Sequence, residues 1–362
     1  MSSDPVSTFS VRAEFESGRS LEFVPKYVHP LGIGEINLIA SQATSALELK
    51  FDTIDAVVDG SIEPGHATVT GKFTFHEPAT VYALVPGGWL PLPFVIPSRF
   101  IVDRNVVALL KRLRMGQTGS IIQALKWWTK FFDEGAGMFN PLPYAFEAGL
   151  QRKPTYSEFK AAYDEGASEI IDALPSCHII KYQEVNYRDA YAQLEAFDAR
   201  SAREILFLKK VCPMVVNRVG RQKDMKLAKE ISRIADNLNV YRASFVSIAA
   251  LSCLFENIHG TPISIGREIL KPNLLYSDSD AYNALSDLRH IELAAAGNAY
   301  FGKEAFSLCT CDRALAKLWC SLALTGASPV GQDIEFTFQL TNGLFNRLSE
   351  PEIIQLKAIL RV

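Results

Sequence analysis

Apolar and polar positions alternate through most of residues 8–95. TFSVRAEFE, SLEFVP, LELKFDTIDAVVDG, ATVTGKFTFHE and TVYALV are short, β-branched and partly alternating runs. Ser17-Gly18, Asp59-Gly60 and Gly87-Gly88 punctuate them as turn residues. This predicts a small β-sandwich or barrel. GEINLIASQATSALELK reads as a short helix or as another strand, and the Pro- and Gly-rich GGWLPLPFVIPSR (Gly87–Arg99) reads as a linker. Beyond it the period lengthens. FIVDRNVVALLKRLR is an apolar strand, an aspartate and then a helix, and helical patterns follow over 119–133, 156–173, 186–211, 223–235, 240–257 and 279–301. FSLCTCD is a short strand leading straight into the helix RALAKLWCSLAL; IEFTFQL is a late strand and EPEIIQLKAILRV a terminal helix. Strands separated by helices predict an α/β fold, a parallel sheet with helices on both faces. The excess of helix over 155–275 predicts a large helical insertion. The chain divides at this level into a β-rich domain, 1–96, and an α/β domain, 97–362.

Charge sharpens that division. The whole chain carries −3, but residues 1–96 hold five basic and eleven acidic side chains, leaving +3 on 97–362. Only the second part suits an anionic polymer. Within it, Lys209–Arg233 holds eight basic residues (Lys209, Lys210, Arg218, Arg221, Lys223, Lys226, Lys229 and Arg233) against Asp224 and Glu230. Arg104, Lys111, Arg112 and Arg114 form a second basic patch. Such faces bind phosphates; the competing reading is a solvated helix face. With 48% hydrophobic and 21% charged residues, disorder, collagen and coiled-coil arrays are excluded. The longest apolar stretch, about Ala243 to Phe255, is shorter than the roughly 20 residues that span a bilayer. The N-terminus has no basic start and no apolar run, so no signal peptide and no membrane partner are expected. Six cysteines without a regular framework suggest reduced thiols and a cytoplasmic protein.

In open parallel sheets ligands sit beyond the carboxyl ends of the strands. Two aspartates end apolar strands there: Asp103 after Phe100-Ile101-Val102, and Asp312 after Phe306–Cys311, each preceding a helix. Either alone reads as a helix N-cap, a contribution of about 1 kcal/mol. Together, at one sheet edge, they suit a magnesium or manganese ion. Glu147 follows the turn Asn140-Pro141-Leu142-Pro143, and Asp287 borders the apolar stripe Leu288, Ile291 and Ala295 of a helix. His290 follows Asp287 closely enough to reach the same place.

These four segments resemble the PIN-domain nucleases. In that family a first strand ends in Asp-x-Asn or Asp-x-Ser, here Asp103-Arg104-Asn105. A glutamate sits on an early helix, matched by Glu147; a third acid precedes small residues, as Asp287 precedes Ala294-Ala295-Ala296; and a last strand ends Thr-x-Asp, here Thr310-Cys311-Asp312. The resemblance covers about 100–155 and 275–340. It implies a PIN-like α/β/α domain and hydrolysis of phosphodiester bonds by a carboxylate-bound Mg or Mn ion that activates water. RNA is favoured over single-stranded DNA, with 5′-phosphate and 3′-hydroxyl products. By the same resemblance Asp103, Asp312, Glu147 and Asp287 hold the metal or its water, Asn105 and Thr310 orient carboxylates, and Asp333 is an outer acid. Arg104, Lys111, Arg112, Arg218, Arg221, Lys223 and Lys226 are the expected nucleic-acid contacts.

The chain departs from compact relatives. Glu147 and Asp287 are 140 positions apart, and Glu134, Glu158, Glu256 and Glu268 rival Glu147, as Asp278 and Asp280 rival Asp287. A free nuclease harms its host, so restraint is expected, from the β domain, from the helical insertion or from a regulatory protein bound through the N-terminal domain. Two other functions compete: an inactive PIN-like module that binds nucleic acid or protein, and a small-molecule phosphatase. The phosphatase is disfavoured by Asn105 where a second acid is wanted. Gly65–Phe73 has the wrong spacing for a phosphate loop, Cys309 with Cys311 reads as core, and Trp127-Trp128 reads as core before base-stacking.

Overall fold

The structure is a computed structural model describing residues 10–361 apart from 15–17, 42–44, 96–98, 134–136, 151, 218–220, 256–264, 302–305, 323, 331–332, 339–343 and 346–347. The chain forms two compact units. The first comprises Met1–Leu142, Tyr163–Lys181 and Tyr300–Cys311; the second comprises Pro143–Ala162, Tyr182–Ala299 and Asp312–Val362.

In the first unit, β1 (Val11–Glu14), β2 (Ser20–Val28), β3 (Ser45–Val58) and β4 (Ser61–Phe75) pair in that order as an antiparallel meander. Asp59 and Gly60 join β3 to β4 at φ of 50° and 83°, the positive values that a two-residue hairpin turn demands. The Asp59 carboxylate accepts hydrogen bonds from the Ser20 backbone N–H and the Arg19 guanidinium, which hold its pKa below the ordinary value and tie the turn to β2. GEINLIASQATSALELK divides into α1 (Ile33–Ser41), which buries Ile36 and Ile39, and the start of β3.

The other sheet of this unit contains β5 (Tyr82–Val85), β6 (Gly88–Leu90), β7 (Arg99–Val102), β8 (Met138–Asn140), β9 (His178–Ile179) and β10 (Ser307–Thr310), in the order β6-β5-β10-β7-β8-β9. The strands β10, β7, β8 and β9 run parallel, as expected of β7 and β10. The sheet is nonetheless mixed, because β5 pairs antiparallel with both β10 and β6. The reason is local: Pro86 and Gly87, with Gly87 at φ 89°, turn the chain straight back, and a two-residue connection joins only antiparallel strands. The apolar strand expected at TVYALV therefore joins the sheet of β7 and β10, not that of β1–β4.

Part of the stretch read as a linker is core. Trp89 is fully buried, its indole N–H donates to the Gly32 carbonyl at 2.9 Å, and its backbone exchanges hydrogen bonds with Leu31. Gly88 is required by this approach, since a Cβ there would stand 2.2 Å from the Leu31 carbonyl oxygen. Gly88→Ala is expected to cost about 1–3 kcal/mol by overpacking, read as a lowered midpoint in denaturant unfolding. An unchanged midpoint would show that β6 yields freely.

The helices α2 (Arg104–Arg114) and α3 (Ser120–Asp133) complete the first unit together with residues 163–173 of α5 (Tyr156–Ala173). Trp128 on α3 stacks on Phe75 at 5.2 Å between ring centroids and donates to the Pro78 carbonyl, so it packs in the core. All six cysteines are described and none forms a disulfide.

The second unit is mainly helical. It contains residues of α4 (Leu142–Glu147) and α5, then α6 (Glu184–Val215), α7 (Arg221–Asn237), α8 (Phe245–Phe255), α9 (Ile265–Leu270), most of α10 (Asp278–Phe301), α11 (Arg313–Leu322) and α12 (Glu350–Leu360). A ribbon of β11 (Leu324–Val330) and β12 (Asp333–Phe338) lies between α11 and α12 in sequence. Every residue of α8 is buried, and α8 packs against α6, α7 and α9. A helix apolar on all sides belongs in such an interior. Among the described residues of 155–275 the elements are α5 to α9 and one strand, β9, which joins the mixed sheet. No helix among the described residues is long and apolar enough to cross a membrane.

Candidate metal centre

Among the described residues, one group of three or more histidine, cysteine, aspartate or glutamate side chains offers ligand atoms all within 4.8 Å of one another: Glu147, Asp287 and His290. All three belong to the second unit. Asp287 and His290 stand three apart on α10, so a single helix face presents both. Glu147 is the last residue of α4. The chain leaves α4 through Ala148 at φ 46° and Gly149 at φ 69°, with the Ala148 N–H donating to the Tyr144 carbonyl and the Leu150 N–H to the Glu147 carbonyl. A left-handed alanine is uncommon and fixes where the helix stops. His290 is 2% exposed, and its Nε2 lies 3.3 Å from Glu147 Oε1.

A charged network holds α10 against α6. Arg289 donates to Ser201 Oγ and to the Phe197 carbonyl, and Arg200 pairs with Glu292. Glu204 lies in the same cluster. Burial, with the Glu292 charge behind it, pushes its carboxyl up to about 7 against the opposing pull of Arg200, Arg289 and Arg203. Burial also pushes the Tyr282 hydroxyl up; Arg289 opposes this and Glu147 adds to it. Both α10 members of the trio thus sit on a helix pinned by a part-buried ion pair and by the buried hydrogen bonds of Arg289.

No protein-family model, curated protein or solved structure matches this chain. The site is therefore read from its own residues.

Asp103 is 3% exposed, and its Oδ1 accepts the Val106 N–H at 2.8 Å as the N-cap of α2. Its charge, after burial, adds to the rise of the Cys309 thiol well above its ordinary value. Asp312 Oδ1 accepts the Leu315 N–H at 2.9 Å, capping α11. Both strand-end aspartates thus fulfil the capping reading with one oxygen. The parallel strands β7 and β10 end at the same edge of their sheet; Asp103 follows β7 directly and Asp312 follows β10 by two residues. Neither belongs to the trio.

Several rivals are engaged elsewhere. Arg152 and the backbone and hydroxyl of Thr155 hold Glu158 at about 2. Asp278 pairs with Lys209 at 2.7 Å. Asp280 accepts from the backbone and hydroxyl of Ser277, which lower its pKa. Burial raises Glu268, with Lys317 and Arg313 opposing. Glu134 and Glu256 lie outside the described residues.

Thr310 is fully buried at the end of β10, while Asn105 and Arg104 are exposed at the start of α2. Lys111 pairs with Glu169 at 2.9 Å, as does Arg114, and Arg112 donates to Gln117. Lys223, Lys226, Lys229 and Arg233 are exposed along α7, whereas Asp224 is buried. Arg218 and the side chains of Arg221 and Asp333 lie outside the described residues. His290 is the one member of the trio that the PIN resemblance does not supply; its spacing from Asp287 was the available signal.

Proposed function

We propose that this chain is a metal-dependent nuclease that hydrolyses phosphodiester bonds, with RNA favoured over single-stranded DNA. The observation that carries the reading is the convergence of Glu147 and Asp287, 140 positions apart in sequence, beside a buried histidine. Carboxylates this close repel one another, and a cation shared between them relieves the repulsion. The donor set, two carboxylates and an imidazole, fits a divalent ion. Such an ion, when bound, polarises a phosphodiester and lowers the pKa of water. The chain's own part is positioning: α10 fixes Asp287 and His290, and the end of α4 fixes Glu147. The exposed cations of α7 suit the sugar–phosphate backbone, so affinity falls steeply with salt. Asp103 and Asp312 belong to the reading as the strand-end acids of the PIN resemblance, and restraint by a protein bound to the N-terminal domain belongs to it as regulation.

The test is cleavage of end-labelled single-stranded RNA and DNA with manganese, magnesium or EDTA, by wild type and by Glu147→Gln, Asp287→Asn, Asp103→Asn and Asp312→Asn. Asparagine caps a helix about as well as aspartate, so the last two remove charge and keep the cap. Metal-dependent cleavage lost with Glu147→Gln and Asp287→Asn is expected. Loss with Asp103→Asn and Asp312→Asn as well would join the strand-end acids to the same activity. Cleavage that survives all four variants sinks the reading. A second reading, an inactive module that binds nucleic acid, draws on the capping roles of Asp103 and Asp312. Salt-sensitive binding with no cleavage in any metal would favour it.

A further inference from the structure

We infer that Glu147, Asp287 and His290 form a site for a first-row transition-metal dication, of the Mn2+ or Zn2+ class, in preference to Mg2+. The inference rests on the metal-dependent reading above and names the ion that its site takes. The four acids of the PIN resemblance are oxygen donors throughout, a set that suits magnesium as well as manganese. The trio adds a ring nitrogen. Imidazole suits zinc, iron, nickel and copper, and manganese, though it favours oxygen, stands with them in the first-row affinity series for mixed nitrogen and oxygen sites; magnesium demands oxygen ligands in near-octahedral array and keeps much of its water.

Three observations support a built site. With bonds of about 2.0–2.2 Å, two ligand atoms of one such ion stand roughly 3–4.3 Å apart. The 3.3 Å between His290 Nε2 and Glu147 Oε1 falls in that range, and the 4.8 Å bound on the whole group exceeds its upper end by about half an ångström. His290 is 2% exposed while Glu147 and Asp287 are half-buried, so the histidine is the most buried of the three. Asp287 and His290 share a helix whose neighbouring residues Arg289 and Glu292 are tied to Ser201 and Arg200, so two of three donors are held before any ion arrives. Ligands fixed by packing and ionic contacts lose little freedom on binding, which favours affinity.

The test is equilibrium dialysis of the chelator-treated full chain against Mn2+, Zn2+ and Mg2+ at neutral pH, with metal content measured directly. Wild type is expected to bind Mn2+ and Zn2+ saturably and at least tenfold more tightly than Mg2+. In His290→Gln the Mn2+ and Zn2+ affinities are expected to drop about 10–100-fold, with Mg2+ binding unchanged. Because His290 is buried, Asp287→Asn serves as the second variant, and thermal melts establish that each variant folds. The six thiols bind zinc on their own account, so the difference between wild type and His290→Gln, and the Mn2+ series in particular, decide. Equal affinity for Mg2+ and Mn2+, no saturable Mn2+ binding, or a folded His290→Gln that binds as wild type does would each overturn the inference and leave Glu147–His290 as an ion pair only. Selective binding without cleavage upholds it and defeats the nuclease reading. Cleavage supported by Mg2+ alone and intact in His290→Gln does the reverse.

Discussion

Arg289→Met is expected to lower the unfolding free energy by about 3–5 kcal/mol, the usual cost of removing one partner from a buried ionic cluster. Arg289 is 8% exposed and donates to Ser201 and to the Phe197 carbonyl. Burial draws its pKa below the ordinary arginine value, and the charges of Glu204 and Glu292 pull it back up. Its loss leaves two nearly buried acids, Glu204 and Glu292, with Arg200 as the cation that still pairs with Glu292. Methionine fills similar volume, so the cost falls on the stranded charge rather than on a cavity. Chemical denaturation at pH 8 measures it. Adding Glu204→Gln to Arg289→Met should restore part of the loss, because the double change removes a charge that the single change strands. A loss below about 1 kcal/mol would mean that water reaches the cluster and that α10 is held by other contacts.

Glu204 carries the second large effect, and it depends on pH. Its carboxyl titrates at about 7 in the fold against 4.5 for an ordinary glutamate. Between those values the unfolded chain has released its proton while the folded chain keeps it. Unfolding therefore releases a proton, and stability falls as pH rises through this window. The shift corresponds to about 3 kcal/mol, present as a penalty above pH 7 and absent below about 4.5. Glu204→Gln imitates the protonated form at every pH. It should match wild type near pH 4.5 and exceed it by about 3 kcal/mol at pH 8, measured by urea unfolding across the range. A difference that stays constant with pH would show that Glu204 is ionised throughout.

Much of the helical part was legible because its signals are local. The apolar periods over 156–173 and 279–301 lie within one residue of α5 and α10, and the strand–aspartate–helix texture of FIVDRNVVALLKRLR and FSLCTCD matches β7–α2 and β10–α11. The strands β8 and β9 were not legible: three and two residues long, they offer no period to count. Nor was β6, because Gly88 reads as a breaker, whereas here it admits the Leu31 carbonyl. The trio divides in the same way. Asp287 with His290 is a spacing on one helix and can be read, but their approach to Glu147 depends on how α4 packs against α10. No local pattern records an approach across 140 positions. Asp103 and Asp312 were visible as strand-end acids, and their sequence contexts could not separate a ligand from a cap, since the same geometry serves both.

The strand order has a consequence during protein synthesis. β10 lies between β5 and β7, yet it leaves the ribosome about 200 residues after β7. At roughly 5–20 residues per second, that delay is about 10–40 s. Throughout it the nascent sheet consists of two pieces, each with an open edge where the middle strand belongs. Open apolar edges recruit whatever strand is nearest, including that of a neighbouring nascent chain. Yield in the cell should therefore depend on how well those edges are shielded while residues 103–310 are being translated.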